Sequence, residues 1–132
     1  MTHIAFAQLI FPALALIAAI TPTRDAQATD PQMAFNNACR TCHSMKEGDN
    51  RLGPSLAGVV GRKAGSYADY HYSDANKNSG ITWDEATLKE YLRDPKAKVP
   101  GTKMVFPGLK SDDDIANVIA YLKQFGPDGK KI

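Results

Sequence analysis

The sequence predicts an all-α domain in which a few short helices are joined by long ordered loops. Three observations carry this reading. Apolar residues recur three and four apart in segments flanked by capping residues. No stretch shows the strict apolar/polar alternation of a half-buried strand. The intervals between the helical segments are rich in glycine, from Gly53 to Gly108, and loops of that length in a small domain usually wrap something. The chain has 132 residues, enough for one domain. Lys plus Arg number 16 and Asp plus Glu 14, so the net charge of +2 excludes a strongly basic nucleic-acid binder as a class. The 2 cysteines exclude a disulfide-dense scaffold.

The first segment reads as an export signal. Residues 1–23 contain no Asp, Glu, Lys or Arg, and Leu9 to Ile20 is apolar throughout, with Pro12 inside it. This run is short of the ~20 apolar residues a membrane span needs and suits a signal-peptide core. Ala26-Gln27-Ala28 supplies the small-x-small cleavage site. The expected division is a signal peptide over 1–28 and a domain over 29–132. The alternative is an uncleaved anchor extending the run through Ile4. Export places the domain in an oxidising compartment, the periplasm, with no stable membrane insertion once the signal is removed.

Four helices are expected after it. Asp30 and Pro31 form an N-cap and N1 pair opening a helix to about Ala38. A weaker one spans Ser73 to Asn78. Thr82 is read as the cap of a helix near Asp84 to Arg93, with Leu88, Tyr91 and Leu92 on its apolar face and Pro95 as its stop. Ser111 with Asp112 to Asp114 starts the last helix, read to about Phe125. Its inward face is Ile115, Val118, Ile119 and Leu122.

Chemistry concentrates in Cys39-Arg40-Thr41-Cys42-His43, a C-x-x-C-H sequence. In an exported protein this is the attachment signal for c-type haem. Two thiols three positions apart on a helical turn can form thioethers to the two vinyl groups, and the adjacent imidazole reaches the iron from the same side. A thioredoxin-like pair would need a βαβ context, and none is present. A structural zinc site needs a fourth ligand beyond Cys39, Cys42 and His43, and the domain's other histidine is His71 alone. A plain disulfide leaves His43 and the glycine-rich loops unexplained.

A second axial ligand can come from Met33, Met45, Met104 or His71. Met45 is tethered near His43. Met33 reads as core packing, and His71 sits in a polar loop between Tyr70 and Tyr72. Met104 stands far enough along the chain to come round the other face, in a loop between Pro100-Gly101 and Pro107-Gly108. Spacing favours Met104 without excluding the others.

Residues 30–125 resemble the class I cytochrome c family, that is mitochondrial cytochrome c and its short bacterial relatives. The motifs run in order: Phe35 before Cys39-x-x-Cys42-His43, Gly53-Pro54-Ser55-Leu56, Gly61-Arg62-Lys63, and Tyr72-x-x-Ala75-Asn76-Lys77-Asn78-x-Gly80. Then come Ile81-Thr82-Trp83, Leu88-x-x-Tyr91-Leu92, Asp94-Pro95, Pro100-Gly101-Thr102-Lys103-Met104 and Ile119-Ala120-Tyr121-Leu122. The resemblance implies the class I fold around one covalently bound haem c, attached through Cys39 and Cys42. It implies His43 and Met104 as the axial ligands, a pair that raises the reduction potential. It further implies that the Pro54 carbonyl accepts the His43 ring N–H, that Tyr72 and Trp83 hydrogen-bond a propionate, and that Arg62 offsets propionate charge. Asn76, Tyr91 and Thr102 would form the polar network beside Met104, and Phe106 would shield the exposed edge.

The implied function is a soluble monomeric carrier of single electrons, not an enzyme. Its partners would be a quinol-oxidising complex as donor and an oxidase, reductase or reaction centre as acceptor. They would dock at the haem edge near Arg51, Lys96, Lys103 and Lys110. Several features depart from the family pattern, among them Ala38, which stands where many relatives carry lysine. Pro31 replaces a small glycine in the first helix, and Asp112 to Asp114 replace a lysine cluster, which thins the basic ring. The rival classes are an open-iron ligand-binding or peroxide-reducing protein and a membrane-tethered carrier.

Overall fold

Asp30 opens the first helix by taking the backbone N–H groups of Gln32 and Met33 on its side chain, at 2.8 and 3.2 Å, and Pro31 fills the first helical position. The computed structural model describes residues 30–132, so the signal peptide expected over 1–28 lies outside the described residues. Five helices follow in order: α1 Pro31–Ala38, α2 Asp74–Lys77, α3 Glu85–Arg93, α4 Pro95–Lys98 and α5 Asp112–Leu122. Among the described residues, extended pairing is limited to two isolated bridges, Lys63 with Thr82 and Phe125 with Lys131.

The core lies where α1 crosses α5 and α5 meets α3. Phe35 and Ala34 are the buried positions of α1, and the Phe35 ring sits 4.7 Å from that of Tyr121. Pro31 therefore does not disturb the crossing. The four α5 residues expected on the inward face are all buried, Ile115 and Val118 completely. Each such aliphatic side chain contributes roughly 1.5–3 kcal/mol of burial. Leu88, Tyr91 and Leu92 bury the matching face of α3.

Four expectations need correction. Thr82 does not cap α3, because its backbone is committed to the bridge with Lys63; Asp84 caps the helix instead, accepting from Thr87 N–H at 2.7 Å. Pro95 ends α3 but also begins α4, since Asp94 accepts from Ala97 N–H and a proline is suited to a helix's first turn. The last helix stops at Leu122, because the chain turns so that Phe125 pairs with Lys131 and Gly126 N–H reaches the Lys130 carbonyl at 2.9 Å. Met33 is 55% exposed and forms no part of the core.

Candidate functional site

The attachment sequence follows directly from the end of α1. Cys39 N–H and Arg40 N–H both return to the Phe35 carbonyl, and Cys42 and His43 N–H groups return to Cys39 O. This single turn brings both thiols and the imidazole to one side. The glycine-rich segment 52–56 then packs on it: Gly53 N–H donates to Cys42 O at 2.9 Å, and Leu56 N–H to Ser44 O at 2.8 Å. Gly53 lies so close to the imidazole that a β-carbon there would collide with the His43 ring. The next residue, Pro54, offers its carbonyl to His43 Nδ1 at 2.8 Å. A carbonyl only accepts, so Nδ1 carries the proton and Nε2 keeps its lone pair. Burial lowers the His43 pKa, the Pro54 bond opposes this, and the Arg62 charge lowers it further; the net direction is down, toward the neutral ring.

These residues line a cavity of about 450 Å³, in the range of ligand and cofactor sites. Every residue that the resemblance assigns to haem attachment, ligation or contact lines it: Cys39, Cys42, His43, Pro54, Arg62, Tyr72, Asn76, Trp83, Tyr91, Thr102, Met104 and Phe106. The rest of the lining is largely apolar, including Leu56, Val59, Leu88, Leu92, Val118 and Leu122. Of the four residues open as second axial ligand, Met104 alone lines this cavity. Met45 is buried in the core, Met33 is exposed on α1, and His71 is exposed in its loop.

Met104 is held by two polar contacts. Its backbone N–H reaches Thr102 Oγ1 at 3.2 Å, and the Tyr91 hydroxyl approaches its Sδ at 3.5 Å. Burial raises the Tyr91 phenol, opposed by its bond with Thr102. Trp83 is buried with its ring 4.6 Å from that of Tyr91. Asn76 does not join this network directly. Its Oδ1 is buried without a hydrogen-bond partner in the protein.

Arg62 is the one charged side chain among the sequence-derived site residues. It donates to the carbonyls of Ala57 at 3.0 Å and Ser55 at 2.9 Å, and its guanidinium lies 4.5 Å over the Tyr67 ring. Burial lowers its pKa. Among the described residues it forms no ion pair, so the cavity wall carries a half-buried cation with no carboxylate of its own. Tyr72 accepts from Tyr67 N–H at 3.3 Å, and burial raises its phenol pKa.

The Cys39 thiol bears on which chemistry the motif suits. Burial, with the neighbouring Cys42 second, pushes Cys39 up to about 12. A dithiol oxidoreductase needs the opposite, a thiol lowered toward thiolate at neutral pH. Among the described residues no cluster of three or more His, Cys, Asp or Glu is arranged to hold a metal ion. A haem fits instead. The cavity lining is largely apolar, its thiols sit one helical turn apart, one imidazole nitrogen is free, and the Met104 side chain lines the same cavity. The uncompensated guanidinium of Arg62 and the unpartnered Oδ1 of Asn76 complete a site that expects polar company from its occupant.

The sequence did not single out Tyr70, Leu52, Ser73, Lys103 or Val105 as cavity residues, and all five line it. The first had a visible signal, since Tyr70 and Tyr72 flank His71. Leu52 and Val105 are 78% and 96% exposed, so they mark the mouth. Among the described residues, no helix is long and apolar enough to cross a membrane.

The Cytochrome c family profile matches residues 28–126. A cytochrome c2 of Rhodoplanes tepidamans is 61% identical over 94 residues, covering 70% of this chain and 88% of its own. A cytochrome c2 of Blastochloris viridis is 46% identical over 125 residues, covering 94% and 98%. The solved structure of cytochrome cH from Methylobacterium extorquens superposes with a TM-score of 0.66 at 52% identity, covering 70% of this chain and 93% of that one. The chain belongs to the cytochrome c family, with the class I fold, and is a monohaem electron-transfer protein that carries covalently attached haem c.

Proposed function

We propose that the chain is a closed, six-coordinate carrier in which Cys39 and Cys42 hold the haem, His43 Nε2 and Met104 Sδ occupy the two axial positions, and no site remains for catalysis. The observation that carries this is the sorting of the axial candidates: of Met33, Met45, His71 and Met104, the last alone lines the same cavity as Cys39, Cys42 and His43. When bound, the haem supplies a one-electron couple at its iron. The chain's own residues do the rest. Pro54 and Gly53 fix the His43 ring, Tyr91 and Thr102 hold Met104 in place, and Arg62 balances the charge of the propionates with Tyr72 and Trp83 as donors. Phe106 and the apolar lining keep water out, which favours the less charged ferrous state.

The carrier is a monomer in the periplasm, released by cleavage after Ala28. It takes electrons from a quinol-oxidising complex and passes them to an oxidase, reductase or reaction centre. Partners meet it at the cavity mouth, where Leu52 and Val105 offer apolar contact. Of the cations assigned to steering, Lys96 and Lys110 are exposed and in no ion pair among the described residues. Arg51 pairs with Asp49 at 2.9 Å, and Lys103 donates to the His71 carbonyl, so both are partly committed within the chain. Steering is correspondingly weaker than four free cations would give. Carbon monoxide titration of the reduced protein tests the closed site. No binding is expected at neutral pH in the wild type, and binding is expected in Met104→Ala. Binding to the wild type would favour the open-iron reading. Intact mass of the exported protein tests cleavage, the expected value being that of residues 29–132 plus haem.

A further inference from the structure

The loop that carries Met104 is poorly anchored by its own backbone. Among the described residues, the main chain of 103–108 makes a single hydrogen bond, from Met104 N–H to Thr102 Oγ1. Yet the loop is tied sideways by the residue before Met104. Lys103 Nζ donates to the His71 carbonyl and lies 4.6 Å over the ring of Tyr70. Tyr70 in turn donates its hydroxyl to Leu52 O at 2.7 Å, next to Gly53, which packs against His43. Two further bonds fasten the same pair of segments, Gly48 N–H to Tyr67 Oη at 2.8 Å and Asn50 Nδ2 to Ala68 O at 3.1 Å. Tyr70 also packs edge-on against Tyr72, with centroids 4.8 Å apart. The residue that turns the chain into this position is Asp69, the one non-glycine residue with positive φ among the described residues, at 57°. Such a conformation persists when surrounding contacts enforce it.

We propose that Lys103 and Tyr70 are positioning residues, a cation–π clasp that fastens the Met104 loop to the segment behind His43 and holds the thioether on the cavity. This rests on Met104 being the axial ligand. Tyr70 bridges both loops, so the two walls open or stay closed together. A ligand that must displace Met104 binds with an affinity reduced by the fraction of molecules whose loop is open. Breaking the clasp raises that fraction.

The test is imidazole binding to the ferric holoprotein, followed through loss of the far-red methionine charge-transfer band. Lys103→Met and Tyr70→Leu should each tighten apparent imidazole binding by about tenfold, the size of a cation–π contact. The double variant should match either single one rather than multiply them. Tyr70→Phe keeps the ring and loses the Leu52 bond, so it should fall between. Lys103→Arg should behave as wild type, as should Lys89→Met, an exposed lysine on α3. A merely structural role would lower the unfolding midpoint without changing imidazole affinity in the folded protein. If the wild type shows the band and Lys103→Met binds imidazole no better, the clasp is overturned and the ligand assignment stands. A wild type without the band overturns both.

Discussion

From Phe35 to Leu56 the chain is bonded back on itself at nearly every turn, whereas from Lys103 to Gly108 its backbone makes the one bond to Thr102. The first stretch has its cysteines three apart, its histidine oriented by the Pro54 carbonyl from the following loop, and Gly53 against the imidazole ring. The second is fixed at its ends. Thr102 N–H reaches Val99 O at 3.0 Å, and Leu109 N–H reaches Leu92 O at 2.8 Å. Gly108, at φ 91°, slips under the Arg93 carbonyl where a β-carbon could not fit. Between those ends, side chains from elsewhere hold the loop. The contrast places stability on the histidine side and adjustability on the methionine side, with low local stability where few backbone bonds exist.

Replacing Gly53 by alanine attacks the rigid side and should have the largest effect. The added carbon would displace the His43 ring, costing about 3 kcal/mol of stability. The expected result is a sharp fall in the thermal midpoint and in the yield of haem-loaded protein. An unchanged midpoint would show that the histidine side tolerates rearrangement and that the contrast is overstated.

Tyr91→Phe sharpens the comparison from the other side. It removes the hydroxyl near Met104 Sδ while keeping the ring against Trp83. The expected loss of about 1 kcal/mol should appear as easier displacement of Met104, with little change in global unfolding. Imidazole titration beside thermal melting separates the two.

The smallest effect concerns α3, which supplies Tyr91 and borders both sides. The Asp84 carboxyl is held below its ordinary value by the Thr87 N–H and hydroxyl. A depressed folded value gives stability that is present above the unfolded value and lost as pH falls through the folded one. Asp84→Asn retains a capping oxygen, so its unfolding curve should fall less steeply below about pH 4, with only a slight loss of stability above that. Equal acid sensitivity would show that the cap charge is immaterial.

How much of this was legible in the sequence follows the same division. The histidine side is local: five consecutive residues state the attachment chemistry, and Asp30, Pro31 and Ser111 announce their helices by capping rules that act over three residues. Spacing favoured Met104 over Met33, Met45 and His71 without excluding them, and the family resemblance then singled it out. Thr82 looked like a cap because hydroxyl residues are good caps. A long-range bridge to Lys63 claims it, and nothing near Thr82 reports that. Pro95 was read only as a stop, although the Asp94-Pro95 pair repeats the signal that opened α1. Lys103 looked like a free surface cation, and Tyr70 like a loop aromatic. Their contact joins residues more than thirty positions apart and is decided by the fold.

The most direct test of the account is the visible spectrum of the ferric holoprotein at neutral pH, read at the far-red charge-transfer band that reports methionine sulfur on iron, in the wild type and in Met104→Ala. The account predicts the band in the wild type and its loss in the variant. A wild type without it, or a variant that retains it, contradicts ligation by Met104.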